Sequence, residues 1–274
     1  MRLTLLTSVL ATTAIMTVSA YAQDCKPKHE FTTAEKGFIT VGAVTFAPFS
    51  YIDSSGNVQG VDADILAEIA KMECLELKTL PTDAAAGIQT VVSGRADVST
   101  GAWYRTKARN RVVNLSAPLY LDQMALFSKE GLTEARALEG KPVGSVQGNL
   151  WVGDLQTVFG ENLKLYPTSV TMHQDLIAGR LAAAFDGYST GVSAIKQGSL
   201  NGIQVKVMDP DERIAASREA GQGTFPMSKK NEAFSAAIDA DIAELQKSGK
   251  IAEILAKHGL EASAADTGAP RLIE

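Results

Sequence analysis

The chain has 274 residues, 45% of them hydrophobic, with 26 basic against 31 acidic side chains and a formal net charge of −5. That much apolar material suits two lobes of about 100 to 150 residues each. The charges are scattered with an acidic excess, which makes nucleic acid and anionic membrane poor partners.

Arg2, an apolar stretch from Leu3 through Val18 and the small-residue pattern Ala20-Tyr21-Ala22 read as a signal peptide over residues 1–22, cleaved near Ala22. The stretch is shorter than the ~18 to 20 residues a membrane span needs, and Asp24 just ahead of Cys25 argues against a lipid anchor. The reading is an exported, soluble product. In an oxidising compartment Cys25 and Cys74 are most simply joined as one disulfide, although Cys74, beside an apolar helix end, also suits a buried free thiol.

Phe38 to Val44 reads as a strand, Ala47-Pro48-Phe49 as a break and Asp53-Ser54-Ser55-Gly56 as a turn. Asp62 is placed to cap a helix whose apolar face is Ile65, Leu66, Ile69 and Ala70, with a strand over Leu75 to Thr79 behind it. A helix, then Gly-Arg, then a short apolar strand follows twice. Ile88 to Ser93 runs into Gly94-Arg95-Ala96-Asp97-Val98, and Gln174 to Ala178 runs into Gly179-Arg180-Leu181-Ala182-Ala183. Each glycine supplies the left-handed residue that stops a helix. The first strand leads to Gly101-Ala102-Trp103-Tyr104 and then Arg109, the second to Phe185-Asp186-Gly187-Tyr188. Ligands of parallel α/β sheets bind beyond the carboxyl ends of strands, so two such lobes face a cation with an anion across a cleft.

Met124 to Phe127 reads as the strand that carries the chain out of the first lobe, and Pro142 to Val146 restarts the pattern. The first lobe is therefore assigned to 23–126 plus 219–274, the second to 127–218. Helices bearing Phe234, Ala237, Ile238, Ile242 and Leu245, then Ile251, Ile254 and Leu255, return to the first lobe. The tail after Gly259 has little to bury and reads as mobile.

No nucleophile elbow, phosphate loop or metal-ligand spacing stands out, and no cofactor is implied. His29, His173 and His258 are isolated in sequence, and His258 suits a helix carboxyl end. Arg109 can fork two N–H donors onto a carboxylate, with Arg105, Lys107 and Arg111 as equally charged neighbours. Gln147-Gly148-Asn149-Leu150-Trp151 opens a helix after a strand, either as an anion site of backbone N–H groups or as a plain turn. Asp186 suits either an ammonium ligand or an N-cap for Tyr188 to Gln197. Phe46, Trp103, Tyr104, Trp151 and Tyr188 are candidates for a side-chain pocket or for core.

The series Gly37-Phe38-Ile39-Thr40-Val41-Gly42, Ala47-Pro48-Phe49, Gly60-Val61-Asp62-Ala63-Asp64, Gly94-Arg95-Ala96-Asp97, Thr106-Lys107-Ala108-Arg109, Ser116-Ala117-Pro118-Leu119-Tyr120, Val143-Gly144-Ser145-Val146-Gln147-Gly148 and Gly179-Arg180 with Asp186 resembles the periplasmic amino-acid-binding proteins of ABC importers, the family-3 extracellular solute-binding proteins. The resemblance spans nearly all of the mature chain. It implies an α/β, two-lobed type II periplasmic-binding-protein fold with a hinge and an interlobe cleft. It implies a monomeric periplasmic receptor that delivers an amino acid or derivative to a permease.

By that resemblance Arg109 holds the ligand α-carboxylate, Asp186 the α-ammonium, and Phe46 stacks on the side chain. Gly101, Ala102 and Tyr104 stand where relatives often carry Ser or Thr, and Asn149 where threonine is common. Ala84, Leu150 and Trp151 complete the expected wall. With no acid besides Asp186 in these motifs, an uncharged ligand side chain is expected. A dehydratase-like enzyme on the same fold and a receptor for a sensor or chemoreceptor are the alternatives.

Overall fold

Residues 25–273 are described by the computed structural model; the signal peptide read over 1–22 lies outside them. Phe38–Val44 is an interior strand of the first sheet, buried from Ile39 onward, and pairs in parallel with Glu76–Thr82 on one side and Val98–Thr100 on the other. Pro226–Met227 and Asn114–Leu115 extend it antiparallel. The second sheet repeats the plan: Val143–Val146 lies parallel to Leu163–Tyr166 and Ala183–Gly187, and Met124–Ser128 and Gln204–Val207 add antiparallel strands. Two five-stranded sheets make two lobes.

The repeated helix–Gly–Arg unit has the same physical ending in both lobes. Gly94 and Gly179 take φ of 75° and 73°. Arg95 N donates to Thr90 O and Arg180 N to Asp175 O, the six-to-one bond of a Schellman close. The helix Val61–Met72 closes the same way, Leu75 N donating to Ala70 O, but with Cys74 rather than glycine at φ 56°. Its start differs from the sequence reading. Gly60 is the N-cap and makes no side-chain bond, and Asp62 lies inside the helix, its carboxylate committed elsewhere.

The helices Glu232–Lys247 and Lys250–Lys257 pack Phe234, Ile238, Ile242, Leu245, Ile251, Ile254 and Leu255 against Ile39, Val41, Ile65 and Leu66. They return to the first lobe because that stripe covers one face of its sheet.

The chain crosses between lobes through a small three-stranded sheet in which Gly221–Thr224 pairs antiparallel with Trp103–Tyr104 and with Leu121–Asp122. Close approach requires glycine here: a Cβ on Gly221 would lie 2.2 Å from the Tyr104 ring, and one on Gly223 2.5 Å from Tyr120. Met124–Ser128, read as the exit from the first lobe, is already paired within the second sheet. A short, continuously apolar run does not announce which sheet it joins.

The tail after Gly259 is docked, against the expectation of mobility. Gln222 Nε2 donates to Thr267 O and Ala269 O, Arg271 N donates to Gln222 Oε1, and Ile273, buried, bonds backbone to backbone with Arg105 and Lys107. Its small residues hid this because the hydrogen bonds that anchor it use mostly its backbone groups. His258 also has a specific partner, Asp64 Oδ2 at 2.7 Å, shared with Lys257.

Cys25 and Cys74 form the disulfide, tying the N-terminal extension to the end of the helix Val61–Met72. With the cysteines 49 positions apart in sequence, chain-entropy loss in the unfolded state gives about 4 kcal/mol. Reduction is expected to lower the urea midpoint by that equivalent; matching midpoints with and without reductant would show that the bond contributes nothing.

Candidate ligand cleft

Both sheets end at one cleft. From the first lobe come Val44 at the end of Phe38–Val44, Phe46, Ala84 and the run Gly101 to Tyr104; Arg109 follows on a short helix; from the second lobe come Gly148, Asn149, Leu150 and Trp151. The cavity left between them is small, about 30 Å³. The lobes approach closely at its rim. Gly148 has φ 88°, and a Cβ there would stand 3.1 Å from the Ala84 Cβ, so this contact admits little but glycine.

Two tryptophans floor the cleft, one from each lobe, and each is braced alike. Trp103 Nε1 donates to Ser99 Oγ, which donates to Gly42 O. Trp151 Nε1 donates to Ser145 Oγ, which donates to Phe185 O. With both indole N–H groups used inside the sheets, the rings offer only apolar surface to a ligand. Tyr104 meets Trp151 edge-on across the lobes at 6.2 Å, and its hydroxyl donates to Asp122 Oδ2.

Arg109 is carried on the helix Lys107–Val112, whose N-cap Thr106 accepts from Arg109 N. Its Nη1 donates to Tyr104 O at 2.9 Å, and its Cζ lies 4.7 Å above the Trp103 ring. Among the described residues no carboxylate comes within ion-pair distance of it. Burial therefore pushes its pKa down to about 10. The neighbouring Arg105 faces elsewhere, donating to Leu115 O, Ser116 O and Arg271 O, which resolves the ambiguity between these two arginines.

Asp186 is fully buried at the end of Ala183–Gly187, accepting from Ser169 Oγ at 2.7 Å and Gly187 N at 2.9 Å. Burial raises its pKa to about 7. The nearest basic group is His173 Nε2 at 3.9 Å, and burial holds that imidazole down to about 4, so it stays neutral. Asp186 is not in the cleft surface itself. It stands next to Asn149, which is, and whose Nδ2 has no hydrogen-bond partner of good geometry.

Other expected wall residues are placed differently. Tyr188 lines a separate groove beside the crossing strands with Leu121, Asp122 and Gln123. The helix after Gln147 begins at Val152; Gln147 N donates to Tyr166 O on the neighbouring strand, while Asn149 N donates to Val146 O and Val152 N to Asn149 O within the turn. Phe46 stands between the cleft and a second interlobe groove bordered by Ser169 and His173.

Asp62 is the group whose role the sequence reading missed. Its Oδ2 accepts from Gly101 N at 2.9 Å and Ala102 N at 3.2 Å, and its Oδ1 from Tyr120 Oη at 2.6 Å. Burial lifts its pKa to about 6 against these three donors. It fixes the cleft loop where Ala102 takes the left-handed φ of 53°. Asp62→Ala would leave the three donors unsatisfied, each costing about 1 to 3 kcal/mol. A marked drop in melting temperature with weakened ligand binding is expected; unchanged melting would refute the role.

Residues 39–261 match the family model of bacterial extracellular solute-binding proteins, family 3. The L-cystine-binding protein TcyJ of Escherichia coli K12 is 25% identical over 226 residues, 79% of this chain and 80% of that protein. The lysine/arginine/ornithine-binding periplasmic protein of the same strain is 24% identical over 222 residues, 78% of this chain and 84% of that one. A substrate-binding protein of an ABC uptake transporter from Streptococcus pneumoniae, solved with histidine, superposes with a TM-score of 0.73 at 20% identity, covering 85% of this chain and 96% of its own, a likeness of fold. With the family model covering both sheets, the crossing strands and the cleft, this chain belongs to the family-3 bacterial extracellular solute-binding proteins.

Proposed function

We propose that this protein is a periplasmic receptor that captures an α-amino acid with an uncharged side chain, or a close derivative, between its lobes and hands it unchanged to an ABC permease. The carrying observation is Arg109, a guanidinium buried in the cleft with no carboxylate partner among the described residues. A planar anion is the partner such a group requires. Asp186, buried behind Asn149 with no Lys or Arg on it, offers a carboxylate for an ammonium that enters from the cleft past Asn149. The lining contains no acid to meet a cationic side chain, while Trp103, Trp151 and Phe46 offer ring faces. The named relatives bind cystine or lysine, arginine and ornithine; cystine, without net side-chain cation, fits this lining better.

Ring faces also attract delocalised cations by about 0.5 to 2 kcal/mol, so the screen should include betaines and arginine. A thermal-shift panel of amino acids, opines and betaines on ligand-stripped mature protein tests the reading. At a thousandfold excess over Kd a ligand of the folded state adds about 4 kcal/mol, a shift of many degrees. A largest shift from a neutral amino acid or cystine supports it; preference for arginine or glutamate, or no response to any amino acid, contradicts it. Prephenate and arogenate should remain unconsumed, which separates the receptor from a dehydratase.

A further inference from the structure

Three side chains remote in sequence meet in the first lobe, none of them lining the cleft. His29 comes from the N-terminal extension, Glu73 caps the end of the helix Val61–Met72, and Asp241 lies within Glu232–Lys247. One ligand atom from each falls within 4.8 Å of the other two. His29 Nδ1 is 2.7 Å from Glu73 Oε1 and 3.9 Å from Asp241 Oδ1. Ligand atoms of a tetrahedral zinc site, with bonds of about 2.0 to 2.1 Å, stand about 3.3 Å apart, a spacing that these two distances bracket.

A second observation points to a cation. Asp241 is 1% exposed, and neither of its carboxylate oxygens has a hydrogen-bond donor. It lies beside the buried Glu73 carboxyl. Lys28 does not neutralise the pair by contact, since its Nζ is bound to Glu244 Oε2 at 2.5 Å. Two buried carboxyls met by no Lys or Arg side chain, with only His29 against them, are costly, and a divalent ion would offset that cost. His29 is 35% exposed at its side chain, which gives an ion a way in. The Cys25–Cys74 bond fixes the extension next to Glu73, and His29 N donates to Glu73 Oε2.

We propose that His29, Glu73 and Asp241 form a site for a divalent transition-metal ion, Zn²⁺ foremost, that fastens the N-terminal extension to the first lobe. An imidazole with two carboxylates selects such an ion over Ca²⁺ or Mg²⁺, which favour all-oxygen shells. Tag-free mature protein, disulfide intact and stripped with chelator, should be titrated with ZnCl₂ and CaCl₂ by calorimetry and thermal melting, alongside His29→Ala and Asp241→Asn. One Zn²⁺ per chain, a raised melting temperature, little response to Ca²⁺ and at least about tenfold weaker Zn²⁺ binding in each variant are expected. Asp241→Asn should melt no lower than wild type without metal, since it removes a buried repulsion. Absence of saturable Zn²⁺ binding, or binding undiminished in His29→Ala, overturns the proposal and leaves a proton-sharing carboxyl pair. The half-exposed His29 keeps the test decisive if Asp241→Asn fails to fold.

Discussion

Arg109→Ala is expected to abolish ligand binding while leaving the melting temperature of the ligand-free protein near or above that of wild type. Its guanidinium is desolvated and holds only the carbonyl of Tyr104 and the face of Trp103, so its removal deletes the ligand's charge partner and relieves a buried cation. Truncating one side of a buried charged pair costs about 2 to 5 kcal/mol or more, tens- to thousands-fold in affinity. Arg105→Ala should do the opposite. It loosens the bonds to Leu115, Ser116 and the docked tail, lowering stability with far less effect on affinity. Calorimetry giving near-native affinity for Arg109→Ala would remove it from the site.

Asp186→Asn is expected to weaken ligands with a free α-ammonium by tens-fold or more and N-acylated analogues far less. A carboxylate that burial lifts to about 7 is largely protonated in the ligand-free protein at pH 6, and an incoming ammonium requires it ionised. Affinity should therefore rise about tenfold between pH 6 and pH 8, with proton release on binding. The ligand-free protein should show the reverse trend. A native pKa above the unfolded carboxyl value means the folded state binds more protons between about pH 4 and pH 7, so this group's contribution to stability falls as pH rises through that window. Equal losses for free and acylated ligands, or flat affinity across that range, would confine Asp186 to holding Ser169 and Gly187.

The lobes were legible because their signals are local. The strand Phe38–Val44, the Gly94 and Gly179 helix stops and the apolar stripe from Phe234 to Leu255 depend on neighbours in sequence. What sequence could not show were roles made by contact at a distance. Asp62 looked like a cap because it opens a helical run, yet its carboxylate is drawn to Gly101 N, Ala102 N and Tyr120, 39 to 58 residues away. Tyr188 follows Asp186 at a strand end, and the turn into its helix aims it at the crossing strands instead. The tail docks largely through backbone N–H and C=O groups, which carry no sequence signature, and His29 acquires two acidic neighbours only through tertiary packing.

Closure ties these parts together. Arg109 stands on the first-lobe side of the cleft and Asn149, with Asp186 behind it, on the second, so under the proposed reading a zwitterion would engage both charges only when the lobes are together. That difference in affinity is what shifts a hinged protein toward its closed form. The close Ala84–Gly148 approach and the Tyr104–Trp151 edge contact are places where the two sides of the cleft meet in this structure.

The most direct test is calorimetric titration of ligand-stripped mature protein with the best neutral amino acid from the screen, the matching amine lacking the carboxylate, and the matching N-acetyl derivative. The account predicts tight one-to-one binding of the amino acid and a loss of at least about tenfold for each truncated form, equivalent to about 1.4 kcal/mol or more per lost charge. Amine and amino acid binding with equal affinity would contradict a carboxylate held by Arg109.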